Sequence, residues 1–169
     1  MRVHLYLNPS ELPAVPPALL SSVWDHRNIV MRGKRRGDMQ NPMHGSEACQ
    51  LLEATWAAVR PLVRRHYPRH KLRSQALAYV EPGAPAQEFH CDLDGNTDMH
   101  TVIVPLTSEH DAGGTQFADG LAFTPVRGLV YAFDGADVHR GAAHRGQARR
   151  VFAAYVISTR ALQDDNIFY

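Results

Sequence analysis

From residue 77 onward the chain is cut into short apolar runs, at 77–80, 102–106, 129–133 and 151–157, separated by Pro-Gly, Asp-Gly and Gly-Gly pairs. Runs of that length, rich in Val, Ile, Tyr and Phe and bounded by turn formers, read as strands rather than helices. Many short strands with frequent turns point to a sandwich or barrel. A chain of 169 residues is the size of one domain and can bury a core without disulfides or structural metals. The expected organisation is a single domain over 1–169, with a helical N-terminal support over 1–72 and a β core over 73–160.

The chemistry of the β region centres on Phe89-His90-Cys91-Asp92, answered later by Asp137-Val138-His139-Arg140. On a strand, residues two apart share a face with Cα atoms roughly 6.6 to 7 Å apart, so His90 and Asp92 can grip one ion while Cys91 points away. His139 from a distant strand would complete two imidazoles and one carboxylate on one side of a metal. That set leaves the opposite positions open, as in non-haem Fe(II) oxygenases. With ten histidines in the chain, a His-x-Asp alone is weak evidence. The competing His100, His110 and His144 lack a carboxylate two residues away on a clear strand, and Asp94 reads as a turn residue or substrate contact.

Several separated motifs agree in order and approximate spacing with one family. They are Tyr79-Val-Glu-Pro-Gly83, His90-Cys-Asp92, Gly113-Gly-Thr-Gln-Phe117, Pro125-Val-Arg-Gly128, Phe133 ahead of His139, and Gly146 with Arg149. Over about half its length the chain resembles the 2-oxoglutarate/Fe(II)-dependent dioxygenases, in particular their prolyl-4-hydroxylase-like branch. The resemblance implies a mainly β fold with flanking helices, a double-stranded β-helix or jelly roll with iron at one mouth. It implies Fe(II), 2-oxoglutarate and O2 as cofactor and co-substrates, His90, Asp92 and His139 as metal ligands, and decarboxylation of 2-oxoglutarate to succinate and CO2. The coupled reaction would be hydroxylation of an unactivated carbon in a small substrate, such as an amino acid or natural-product intermediate. Enzymes of this superfamily that transfer halide have a small residue in place of the carboxylate ligand, so Asp92 speaks against halogenation.

The family holds the distal carboxylate of 2-oxoglutarate with an arginine about ten positions after the second histidine, followed by an apolar residue three further on and an aromatic six further on. Arg149, Phe152 and Tyr155 satisfy that count, with Arg150 as the fallback. Neighbouring strand residues face opposite ways, so only one arginine can enter the barrel. Arg149 is favoured because Val151 and Ala153 would share its face and leave room, whereas Phe152 and Val156 would share that of Arg150. Val151 departs from the small hydroxyl residue often found two places after the family's arginine. Tyr79 resembles the tyrosine that donates to 2-oxoglutarate, or it is a core tyrosine with another partner. The alternatives are a cupin-like metal-binding protein (an isomerase, epimerase or small-molecule binding module), which would not need the arginine, and a protein or peptide hydroxylase.

In the N-terminal third, residues 3–7 read as a strand and 11–24 as a helix irregular at Pro13, Pro16 and Pro17. Residues 27–45 lack periodicity and read as a loop, with 31–44 a candidate lid. Ser46 fits a helix cap, Leu52, Trp56, Val59 and Val63 form one apolar face for packing outside the barrel, and Pro61 is expected to kink or divide that helix. Through Arg73 there are twelve Lys and Arg against five Asp and Glu, and beyond it six against twelve. The basic runs are either solvated faces or, for Arg32, Arg35 and Arg36, a lid over an anionic substrate. A net charge of +1 without interleaved aromatics argues against a nucleic-acid partner. Cys49 and Cys91 form no disulfide framework. No run is long enough to span a bilayer and no leader pattern is visible, so a cytoplasmic location without a membrane partner is expected.

Overall fold

The computed structural model describes residues 2–21, 30–31, 35–92, 98–108 and 113–160. Its strands are β1 (Val3–Tyr6), β2 (Val30–Met31), β3 (Arg36–Gln40), β4 (Lys71–Val80), β5 (Met99–Pro105), β6 (Thr115–Phe117), β7 (Ala122–Phe123), β8 (Leu129–Asp134), β9 (His139–Gly141) and β10 (Arg150–Ser158), with helices α1 (Pro17–Leu20) and α2 (Glu47–His66). A seven-stranded sheet in the order β1-β8-β5-β10-β4-β3-β2 faces a three-stranded sheet β7-β6-β9. All their pairings are antiparallel. This is the double-stranded β-helix that the resemblance implies, and it fits the sandwich or barrel expected from the short apolar runs.

Period-two alternation divides the large sheet into two chemically distinct faces. Leu77, Val102, Val104, Ala132, Ala153 and Tyr155 belong to one buried cluster with Leu51, Leu52, Val59 and Val63 of α2. Ile103, Tyr131, Phe133 and Ala154 belong to a second, against Phe117 and Phe123 of the small sheet. The first face therefore carries the helix and the second lines the space between the sheets. Leu52 and Val59 are fully buried, each contributing about 1.5–3 kcal/mol by leaving water. Tyr155 adds a hydrogen bond from its hydroxyl to the Leu52 carbonyl (2.8 Å), fixing helix to sheet.

The helix starts where Ser46 accepts from the Cys49 amide (3.2 Å), with Glu47 in its first turn and Arg64, Arg65 and His66 in its last, matching the helix dipole at both ends. Pro61 neither divides nor ends it. Pro61 and Ala57, whose carbonyl loses its helical donor, are both exposed, so water can take the vacated position while the buried face holds both halves.

The N-terminal third differs more from expectation. In place of a helix over 11–24 there is a single 3₁₀ turn, Pro9–Glu11, closed by a reciprocal Asn8–Glu11 cap, and one turn at Pro17–Leu20. Three prolines between 13 and 17 remove the donors a longer helix would need; residues 22–29, including Trp24, lie outside the described residues. The expected loop over 27–45 contains β3, paired with β4 from Arg36↔Val80 to Gln40↔Ala76. The region read as helical support thus also supplies β1, β2 and β3 to the large sheet. Among the described residues no helix is long and apolar enough to cross a membrane.

Candidate active site

His90 and His139 are brought together by a two-way backbone bridge, each amide donating to the other's carbonyl at 2.8 Å. Their rings lie 4.7 Å apart, and Asp92 Oδ1 stands 3.8 Å from His90 Nε2 and 3.4 Å from His139 Nε2. Two neighbouring ligands about 2.1 Å from one octahedral ion are separated by about 3 Å, so small side-chain adjustments would let all three grip a single cation. Cys91 turns away from the cluster, exposed and free, its thiol near the Ala136 carbonyl (3.4 Å).

The surrounding hydrogen bonds prepare these groups for a metal. His90 Nδ1 lies 2.9 Å from the Glu88 carbonyl and His139 Nδ1 lies 2.8 Å from the Asp137 carbonyl. With the proton on Nδ1 donated to those carbonyls, both Nε2 lone pairs are left for an ion. Thr101 donates to Asp92 Oδ2 at 2.7 Å, leaving Oδ1 on the imidazole side. Burial pushes the Asp92 carboxyl up, but His139 and Thr101 outweigh it and hold the group below its ordinary value. Burial likewise pushes His139 down, and Asp92 reverses it, raising the imidazole above its ordinary value. The cluster packs beside the rings of Phe117 and Phe133.

These three residues open onto a cavity between the sheets with about 910 Å³ of unfilled space including its open mouth. Arg150, Arg36, Asp38, Tyr131 and Thr115 line it beyond the metal-type cluster. Tyr131 and Thr115 pair through their hydroxyls at 3.3 Å.

Of the two arginines, Arg150 and not Arg149 lines the cavity. Arg149 points to the opposite side, where its Nε donates to Glu81 at 2.9 Å, its Nη2 forms an ion pair with the same carboxylate, and its guanidinium lies 4.5 Å from the centre of the Tyr79 ring. Arg150 faces the cavity, 5 % exposed, with Nη1 donating to the Gly113 carbonyl and Nε without a hydrogen-bond partner among the described residues. The face carrying Val151 and Ala153, which seemed to leave room, is the one α2 covers. Tyr79 borders the cavity, but its ring packs in the helix-side cluster under Arg149; Tyr131 is the buried tyrosine lining the cavity with Arg150. Burial pushes both the Tyr131 hydroxyl up and the Arg150 guanidinium down.

The lid reading of the basic segment also changes. Arg36 is no surface residue: it opens β3, is 5 % exposed, lines the cavity, and donates to the carbonyls of Pro85 (2.7 Å) and Ala142 (2.5 Å). Arg35, in a left-handed conformation (φ 66°), is exposed and reaches the Pro82 carbonyl instead. Arg32 lies outside the described residues, as do Asp94 and His110. His144 is a structural histidine, its Nε2 2.7 Å from the Ala148 carbonyl. His100 packs against Tyr67 and His70, away from the cluster. The reading of the residues missed Thr101, Thr115 and Tyr131. The alternation of Tyr131 with Phe133 on β8 was the available signal, since it puts both on the face opposite Val130 and Ala132.

No family model and no curated protein matches the chain. Among solved structures, the non-heme alpha-ketoglutarate-dependent epimerase SnoN from nogalamycin biosynthesis aligns at a TM-score of 0.72 and 14% identity, over 93% of this chain and 76% of that one. A viral collagen prolyl hydroxylase from Paramecium Bursaria Chlorella virus-1 aligns at 0.61 and 13%, over 94% and 96%. A Pseudomonas putida prolyl-4-hydroxylase aligns at 0.54 and 21%, over 79% and 78%. The chain has the jelly-roll fold of the 2-oxoglutarate/Fe(II) oxygenases. The prolyl-4-hydroxylase-like structures share that fold with it along most of its length.

Proposed function

We propose that the protein is an Fe(II)- and 2-oxoglutarate-dependent dioxygenase acting on a small molecule, with His90, Asp92 and His139 as the iron ligands and Arg150 as the partner of the distal carboxylate. One observation carries the reading: a two-histidine, one-carboxylate cluster opens onto the same cavity as a buried arginine whose Nε has no partner among the described residues. A buried cation of that kind calls for an anion, and arginine's planar fork suits a carboxylate. A cupin-like binding module would have no use for it. Bound iron and 2-oxoglutarate would supply the oxidising chemistry that no side chain can. The chain's own part is to hold the metal through Nε2 of both histidines and Oδ1 of Asp92, to fix those atoms through Thr101 and the two backbone carbonyls, and to keep the reacting end among Phe117 and Phe133.

Hydroxylation of a substrate carbon with release of succinate and CO2 is the reaction this arrangement supports best. The alignment with an epimerase of the same fold supports a second outcome at the same site, inversion of configuration at a carbon with no net loss of hydrogen from the substrate. The two are distinguished by whether a product gains an oxygen atom. The reading of the site is tested by mixing the protein under argon with Fe(II) and 2-oxoglutarate. A weak visible charge-transfer band is expected in the wild type and not in Asp92→Ala; its absence from the wild type would refute the assignment.

A further inference from the structure

Arg36 and Arg150 stand in one transverse row of the large sheet, both opposite Val80 across β4. Strand spacing puts their Cα atoms roughly 9 to 10 Å apart on the same face. Their guanidiniums converge further. Arg150 donates to the Gly113 carbonyl and Arg36 to that of Ala142, and these two stretches are hydrogen-bonded to each other through Ala142 N to Gly114 O (2.9 Å) and Gly113 N to Ala143 O (3.2 Å). A Cβ on Gly141 would meet Arg36 Nη1 at 2.7 Å, so that guanidinium is packed directly against β9.

Two like charges buried together need a reason. Among the described residues neither forms an ion pair; their hydrogen bonds go to neutral backbone carbonyls. Burial, and then the charge of Arg150, lowers the Arg36 pKa to about 10. Phe152, the next β10 residue on the cavity face, offers no donor, so a carboxylate seated on Arg150 must satisfy its remaining lone pairs elsewhere.

We infer that Arg36 and Arg150 form a two-arginine clamp on a single distal carboxylate, which makes the pocket selective for dicarboxylic 2-oxo acids over monocarboxylic ones. The inference rests on the reading of this pocket as a 2-oxoglutarate site and adds to it a residue from β3, outside the motifs that suggested that reading. Arg36 is then a binding residue, with its stem and β3 anchored through Pro85.

The test compares two ligands that share the metal-chelating end, 2-oxoglutarate and 2-oxopentanoate, the second lacking the distal carboxylate. Each is titrated under argon into Fe(II)-loaded wild type, Arg36→Gln and Arg36→Lys. Loss of one charge-assisted bond should weaken 2-oxoglutarate about tenfold or more in Arg36→Gln while 2-oxopentanoate is unchanged, with partial recovery in Arg36→Lys. If Arg36 only ties β3 to its neighbours, both ligands weaken equally and the preference survives, which overturns the clamp. Should Arg36→Gln fail to fold by circular dichroism, Arg36→Lys decides, because an undiminished preference there overturns it too. A wild type that binds both ligands equally refutes a carboxylate site at this end of the pocket and the clamp with it. A wild type that binds neither refutes the proposed function itself.

Discussion

Replacing Arg150 by Gln removes the charge from the buried end of the cavity and leaves a side chain of similar reach. Arg150 is 5 % exposed, so a carboxylate bound there is shielded from water and keeps nearly the full strength of its contact. A charge-assisted hydrogen bond contributes about 1.5–3 kcal/mol, which corresponds to roughly a ten- to hundredfold loss of 2-oxoglutarate affinity. The neighbouring Arg149→Gln should behave differently. Its ion pair with Glu81 and its contact with the Tyr79 ring contribute about 1–2 kcal/mol to stability, a fall of a few degrees in Tm for a chain of this size. Its 2-oxoglutarate affinity should stay within about twofold of wild type, since the side chain lies on the other side of the strand. Calorimetric titration of 2-oxoglutarate into the two variants, with Fe(II) under argon, separates them. A large loss in Arg149→Gln with none in Arg150→Gln would refute the orientation of β10 on which the account depends.

Other residues give sharper local tests. Thr101→Val keeps the shape of the side chain and removes the donor to Asp92 Oδ2, so Fe(II) affinity measured by competition with a chelator should fall about 10- to 100-fold in a folded protein. Tyr131→Phe should weaken 2-oxoglutarate several-fold and leave 2-oxopentanoate unaffected, whereas Tyr79→Phe should change neither affinity. Pro61→Ala restores an exposed helical donor and should raise the unfolding free energy in urea by up to about 3 kcal/mol without altering iron binding.

The parts of the fold and site that could be read from sequence are those governed by local pattern. Apolar runs bounded by turns located β4, β5, β8 and β10, and His90 and Asp92 do cluster with His139, although the expected ligand strand is absent: His90 forms only an isolated bridge to His139 and Asp92 lies in a bend. What failed was whatever depended on the third dimension. Alternation required Arg149 and Arg150 to face opposite ways, and they do. Which face was the cavity depended on where α2 packs, and Val151 and Ala153 are small because a helix covers them. Arg36 looked like a surface charge because β3, with Arg36, Gly37, Asp38 and Gln40, carries almost no apolar signal. It is a strand because β4 offers it an edge, and its arginine is buried because neutral carbonyls surround it.

The central claim is that His90, Asp92 and His139 hold one iron at which 2-oxoglutarate is consumed. It is tested most directly by measuring bound iron and succinate release together in the wild type and in Asp92→Ala. The account predicts iron-dependent succinate formation in the wild type, and loss of both iron and succinate in a variant that remains folded. An Asp92→Ala protein that keeps its iron and still releases succinate at the wild-type rate would contradict it.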